Sequence, residues 1–178
     1  PQRRALLASL GVAFRVVAPR APEGPDALEN ARAKAREVAA RSGIPPGGAV
    51  LGADTEVLAD GQALGKPAGR DGAGAMLRRL SGREHVVATA VVVLAEGGAR
   101  EARERARVTF RPLSDEQVEW LLDAGEWRDR AGGYAIQGRA AAVIAGVSGD
   151  VTAVVGLPLG AVAAALAVLG LAPWGRRG

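Results

Sequence analysis

The chain has 178 residues, of which 48% are hydrophobic and 24% charged, so it is long and apolar enough for one domain with a substantial core. It has no cysteine and a single histidine, which excludes a disulfide scaffold and thiolate chemistry and argues against a zinc site. The net charge of +4 favours anionic partners, but only 3% of residues are aromatic and no basic patch is interleaved with them. We therefore expect no nucleic-acid partner.

Two apolar segments resemble membrane or export signals. The first, QRRALLASLGVAF, is short and soon meets Arg15. The second, residues 151–172, carries no charge and is long enough to span a bilayer. Gly156 and Pro158 interrupt it, which favours a buried strand, a turn and a core helix. We expect a cytoplasmic protein without a membrane partner.

The first third of the chain predicts two helices with a strand between them. Residues 3–10 form a short helix, and residues 12–17 form a strand. Residues 26–42 form a helix with one small, apolar face, and Gly43 ends it. Lys34 lies at the edge of that face, where a long side chain can reach into a cleft.

The middle of the chain alternates strands with a helix. Residues 50–58 predict a strand or strand pair, and residues 71–80 predict an amphipathic helix. Residues 86–94 are almost entirely apolar, which is typical of a central strand. Residues 105–111 predict a further strand.

The last third predicts a helix, a hairpin and a second helix. Ser114 and Gln117 form a capping-box pattern for a helix through residue 124. Residues 140–145 and 150–155 are expected to pair as a hairpin around Ser148-Gly149, and residues 159–169 form the final helix. This order of elements indicates an α/β or α+β domain in which helices cover a central sheet.

Asp54 and Lys66 are the first candidates for chemistry. Asp54 follows the small residues Gly52 and Ala53 in an apolar strand, and a buried carboxylate must be paired or bind a cation. It is a metal ligand or general base, or it caps a local turn. Lys66 precedes Pro67, which restricts its conformation, so it is a phosphate ligand or a solvated loop lysine.

A glycine-rich stretch, DRAGGYAIQG, contains Gln137, which could hold a base, a phosphate or a water molecule; the alternative is a simple connection. It does not open a βαβ unit, so it is no dinucleotide fingerprint. Glu23 is either a second metal carboxylate or a solvated charge, and His85 is either catalytic or structural. The combination of carboxylates, lysines and a glycine-rich loop suits metal-assisted attack of water on a phosphoanhydride.

Four segments in order resemble the Maf family of nucleoside triphosphate pyrophosphatases: LGADTEVLADGQALGKP, LRRLSGREHVVATAVVV, AGGYAIQG and VVGLPL. The resemblance covers essentially the whole chain and implies a single catalytic domain over residues 1–178. It also implies an α/β fold with a mixed central sheet covered by helices. Two lobes would flank a cleft, as in the similar inosine triphosphate pyrophosphatases.

The resemblance implies an enzyme that cleaves nucleoside triphosphates to the monophosphate and pyrophosphate with Mg²⁺ or Mn²⁺. The AIQG form is similar to the branch that prefers dTTP and UTP. The alternatives are a 7-methyl-GTP pyrophosphatase and a weakly active nucleotide-binding regulator of septum formation. The implied roles are catalysis and metal binding for Asp54, metal binding for Glu23, and substrate binding for Arg3, Lys34, Lys66 and Gln137.

The N-terminus departs from the family pattern. The family opens with a strand and a Ser-x-Ser-Pro-Arg-Arg loop, whereas this sequence starts at Pro1. Arg3 matches the second arginine of that loop, and Gln2 stands in place of the first. We therefore expect the first strand and the serine loop to be missing from this chain. The resemblance also implies a homodimer.

Overall fold

The computed structural model describes residues 2–174. Short 3₁₀ helices at Ala131–Gly133 and Arg139–Ala142 accompany six helices and five strands. The helices are α1 (Gln2–Ser9), α2 (Ala27–Ser42), α3 (Arg70–Leu80), α4 (Asp115–Asp123), α5 (Val151–Val155) and α6 (Leu159–Val168). The strands are β1 (Ala49–Ala59), β2 (Gln62–Leu64), β3 (Glu84–Ala95), β4 (Gly98–Phe110) and β5 (Ile144–Gly149).

The strands form one five-stranded sheet in the order β2-β1-β3-β4-β5. Strand β2 pairs antiparallel with β1, with Val57 opposite Leu64, and β5 pairs antiparallel with β4, with Ala106 opposite Gly149. The predicted α/β class is confirmed. The family resemblance implied a mixed sheet, whereas these two pairings are antiparallel.

The chain divides into two compact units, each built from separate stretches of sequence. Among the described residues, the first unit consists of residues 2–54, 89–104 and 156–174, and the second of residues 55–88 and 105–155. The single catalytic domain and the cleft remain predictions. Pro1 and residues 175–178, which the predicted domain includes, lie outside the described residues.

Each unit has its own apolar core. In the first unit the small face of α2 packs on β1 and β3, and a second cluster surrounds Leu157 and Val162. In the second unit α3 and α4 pack against the sheet around Phe110, Leu77 and Leu80, all of which are fully buried. Most of this core is aliphatic, as the low aromatic content requires.

The predicted strand at residues 12–17 is wrong. These residues are irregular in the structure, and Val16 is 70% exposed. A strand needs neighbours for its N–H and C=O groups, and the five strands of the described sheet all begin at or after Ala49. Apolar composition alone was not sufficient to predict pairing.

The predicted hairpin over residues 140–155 is also wrong. Its first half begins in the 3₁₀ helix Arg139–Ala142, β5 runs through the predicted turn and pairs with β4, and its second half is helix α5. Asp150 explains the change, because its side chain accepts a hydrogen bond from the backbone N–H of Thr152 at 2.7 Å. An aspartate in this capping position starts a helix and outweighs the strand preference of the valines that follow.

The apolar segment at residues 151–172 folds as two short helices, α5 and α6, separated at Gly156–Pro158. Among residues 2–174, no helix has the length and apolar character needed to cross a membrane. The predicted break is confirmed, although the segment before it is helical rather than a strand.

Candidate active site

The site in the first unit depends on close contact between helix α2 and strand β1. Gly52 of β1 makes that contact possible, because a Cβ atom there would lie 2.4 Å from the backbone oxygen of Ala31 and 2.9 Å from the Cβ of Ala35. A glycine within a strand is typical of a place where another backbone approaches closely. Asn30 and Lys34 of α2 consequently reach the Asp54 carboxylate.

Lys34 joins the two predicted metal carboxylates. Its Nζ donates to Asp54 Oδ1 at 2.6 Å and to Glu23 Oε1 at 2.7 Å. The side chains of Lys34 and Asp54 are only 11% and 14% exposed, whereas Glu23 is 43% exposed. Charged groups with so little access to water must be paired, and each is. The structure thus brings together three predicted site residues from separate parts of the chain.

Asn30 is a site residue that sequence reasoning missed. It lies one turn before Lys34 on α2 and is buried. Its Nδ2 donates to Asp54 Oδ2 at 2.8 Å and to the backbone oxygen of Gly24 at 2.8 Å, while its Oδ1 accepts from the Gly24 N–H at 2.6 Å. The available signal was an asparagine four residues from a lysine on the buried face of one helix.

Arg3 reaches the same strand from helix α1. Its guanidinium donates to the backbone oxygens of Ala53 at 3.0 Å and Gly156 at 2.8 Å. Desolvation lowers the pKa of Arg3 below its ordinary value, and the charges of Asp54 and Glu23 oppose that shift. A guanidinium remains protonated under these conditions, so Arg3 adds a positive charge to the site.

Lys66 and Gln137 belong to the second unit, and both are exposed. Lys66 follows β2, and Gln137 lies in the turn between the two 3₁₀ helices. Their loops are joined, because the N–H of Gly132 donates to the backbone oxygen of Gly65 at 3.2 Å. The substrate-binding roles of both residues remain predictions.

His85 has a structural environment. It is 2% exposed, its Nε2 lies 2.8 Å from the Tyr134 hydroxyl, and its ring makes edge contacts with Phe110 and Tyr134. Burial lowers the pKa of His85 to about 4, so the ring is neutral at pH 7. These contacts favour the structural interpretation of His85. They also place Tyr134, from the glycine-rich stretch, in the core.

The donor set around Lys34 suits a hard divalent cation. Among residues 2–174 no group of three or more histidine, aspartate and glutamate side chains is arranged to hold a metal. Glu23 and Asp54 nevertheless form a carboxylate pair around a positive charge. Mg²⁺ is usually bound by one or two carboxylates together with water and substrate phosphates, so this pair fits such an ion.

The structure is thus an α/β protein with a carboxylate–lysine cluster where α2 meets β1. The chain belongs to the Maf-like protein family, whose model matches residues 1–169. The resemblance read from the four sequence segments is thereby confirmed.

Three relatives illustrate the similarity. A dTTP/UTP pyrophosphatase from Symbiobacterium thermophilum is 48% identical over 167 residues, which cover 89% of this chain and 84% of the relative. A dTTP/UTP pyrophosphatase from Myxococcus xanthus is 46% identical, covering 98% of this chain and 91% of the relative. One from Moorella thermoacetica is 44% identical, covering 99% and 94%.

Proposed function

We propose that this chain is a nucleoside triphosphate pyrophosphatase that hydrolyses dTTP and UTP, or modified pyrimidine triphosphates, to the monophosphate and pyrophosphate. Family membership and the names of the relatives support the reaction. The observation that carries the proposal is the buried Lys34 ammonium between Asp54 and Glu23.

Asp54 is the catalytic carboxylate in this proposal. It orients a water molecule for attack at the α-phosphorus and accepts its proton. Lys34 and Asn30 each donate one hydrogen bond to a different Asp54 oxygen. A carboxylate has about four acceptor positions, so Asp54 can still accept from water while these donors fix its orientation.

Glu23 and Asp54 would hold a Mg²⁺ or Mn²⁺ ion, which supplies charge neutralisation on the triphosphate when bound. Arg3, Lys34 and Lys66 place positive charge near the phosphates and stabilise the pyrophosphate as it leaves. Gln137 completes the substrate site. These roles rest on family resemblance and on the contacts of Arg3, Lys34 and Asp54 in the first unit.

We further propose that the enzyme acts in the cytoplasm as a homodimer. The absence of cysteine is consistent with a reducing compartment. Family resemblance supports the dimer, and sedimentation of the purified chain measures it directly.

Pyrophosphate release tests the proposed reaction. The purified chain is incubated with Mg²⁺ or Mn²⁺ and a panel of dTTP, UTP, CTP, modified pyrimidine triphosphates and 7-methyl-GTP. We expect release with dTTP and UTP to exceed release with 7-methyl-GTP. A preference for 7-methyl-GTP would reassign the branch. Nucleotide binding without release from any triphosphate would support the regulatory alternative.

A further inference from the structure

The strongest additional feature is the hydrogen bonding of the Asn30 side chain. It is 6% exposed. Its amide nitrogen donates to the backbone oxygen of Gly24 and to the Asp54 carboxylate, and its amide oxygen accepts from the Gly24 N–H. One planar amide therefore connects the loop before α2 to strand β1. Gly24 immediately follows Glu23, so the same amide connects the backbone next to one carboxylate with the side chain of the other.

We propose that Asn30 is a positioning residue that fixes the separation and orientation of the Glu23 and Asp54 carboxylates. This inference rests on the proposed function, in which those carboxylates act together. Asn30 acts through these two carboxylates. It holds Asp54 through Oδ2, and it holds Glu23 through the backbone of Gly24.

The residue type follows from the bonds that are made. Asparagine offers two N–H donors and one acceptor oxygen in a plane, and all three are used here. Aspartate has nearly the same shape but only acceptors, so it can keep the bond from the Gly24 N–H and cannot donate to Asp54. Helix α2 fixes Asn30 itself, because its backbone N–H donates to the Asp26 oxygen at 3.0 Å.

Two substitutions separate the bonds. N30A removes all of them, whereas N30D keeps the acceptor for the Gly24 N–H, removes the donors to Asp54 and to the Gly24 oxygen, and places a second carboxylate beside Asp54. The matched control is G43A, at the other end of α2. Gly43 has φ 72° and ψ 164°, a conformation that is strained for alanine, so G43A destabilises the same helix without touching the site.

Two measurements are made on the full chain. The first is kcat and KM for dTTP with Mg²⁺, at a temperature where circular dichroism shows each variant folded. The second is hydrogen exchange of the Gly24 amide without nucleotide or metal. We expect both Asn30 variants to lose about 10²-fold in kcat, as misplacement of a catalytic group does, with KM changed less than about threefold. We expect faster Gly24 exchange in N30A but not in N30D, and normal kcat in G43A.

The outcomes distinguish this inference from the proposed function. If the unmodified chain hydrolyses dTTP and both Asn30 variants keep its kcat, the positioning role is overturned while the function stands. An equal loss of kcat in G43A would also overturn it, because the effect would then be general destabilisation. If the unmodified chain hydrolyses no triphosphate, the proposed function fails. Hydrogen exchange of the Gly24 amide still tests whether Asn30 holds the Gly24 backbone, and unchanged exchange in N30A would overturn that role.

Discussion

Two polar clusters, one in each unit, differ in how the hydrogen-bonding groups of their buried residues are satisfied. The cluster in the first unit contains two carboxylates and an ammonium, and Lys34 and Asn30 donate hydrogen bonds to them. The cluster in the second unit contains His85 and Tyr134, which share one hydrogen bond, and His85 Nδ1 is buried without a partner. The charged cluster is the more completely bonded of the two.

The difference follows from the cost of burying charge. An ionised group loses far more hydration than a neutral one, so it stays buried only with close partners. A histidine can avoid that cost by remaining neutral, and burial indeed lowers the pKa of His85 while raising that of Tyr134 above its ordinary value. The first cluster therefore keeps charges available for chemistry, and the second contributes to packing.

The largest expected effect is on activity in the first unit. D54N keeps the shape of Asp54 but removes its charge and its ability to accept a proton from water. We expect pyrophosphate release from dTTP to fall about 10²–10⁴-fold with nucleotide binding retained. The matched control is D60N in the exposed turn between β1 and β2, where asparagine tolerates the φ of 52°. Unchanged turnover in D54N would remove Asp54 from the mechanism.

The next effect concerns pH and the second unit. The folded pKa of His85 is about 4 and its ordinary value is 6.5, so the unfolded chain binds the proton first as the pH falls. The contribution of neutral His85 to the free energy of unfolding is therefore fully present above pH 6.5. It falls by about 3 kcal/mol as the pH is lowered from 6.5 to about 4. H85Q cannot titrate, and its amide can still pair with Tyr134. The free energy of unfolding is measured by urea titration at pH 7 and at pH 4. We expect its decrease between these two pH values to be smaller in H85Q than in wild type by about the contribution of His85. Parallel losses would show that carboxylates alone cause acid unfolding.

A smaller effect tests charge pairing in the first unit. K34M keeps the apolar stem of Lys34 and leaves Glu23 and Asp54 facing each other without the ammonium. We expect the free energy of unfolding to fall by about 2 kcal/mol, measured by urea titration at pH 7. R32M is the control on the same helix, since Arg32 pairs with Glu29 and Glu101 at a solvent-accessible position. Its effect should be smaller and should weaken with added salt. Equal effects of the two substitutions would contradict the distinction between buried and exposed pairs.

The smallest effect concerns the single bond of the second cluster. Y134F keeps the ring contact with Phe110 but leaves His85 Nε2 without a partner. We expect a loss of about 1 kcal/mol in urea unfolding. A double-mutant cycle with H85F isolates the pair, because phenylalanine keeps a ring at this position but has no nitrogen to bond the Tyr134 hydroxyl. A coupling energy of zero would mean that the hydrogen bond does not stabilise the core.

Much of the fold could be predicted from local patterns. Helix α2 was predicted within one residue, because its small apolar face repeats every three to four positions and Gly43 ends it. The structure adds that Asp26 is its N-cap. Helix α4 was equally clear from its capping box. The two errors, at residues 12–17 and 140–155, concern segments whose structure depends on which strand is available for pairing or on one capping side chain.

The site was predictable residue by residue but not as an arrangement. Glu23, Lys34 and Asp54 were identified individually, partly through family resemblance, yet no local pattern shows that one ammonium binds both carboxylates. Asn30 was missed because Asp54 is 24 positions away from it along the chain. Contacts of that kind depend on how closely α2 approaches β1, which only the folded structure reveals.

The contacts of Gly52 limit which second substitutions could restore folding if Gly52 itself were replaced by alanine. A methyl group at this position would meet three atoms of α2: the backbone oxygen of Ala31 at 2.4 Å, and the Cβ and backbone nitrogen of Ala35, both at 2.9 Å. Replacing Ala35 by glycine would remove the side-chain clash, but no substitution removes a carbonyl oxygen. A genetic screen for suppressors of G52A should therefore find none among the side chains of α2 that face β1.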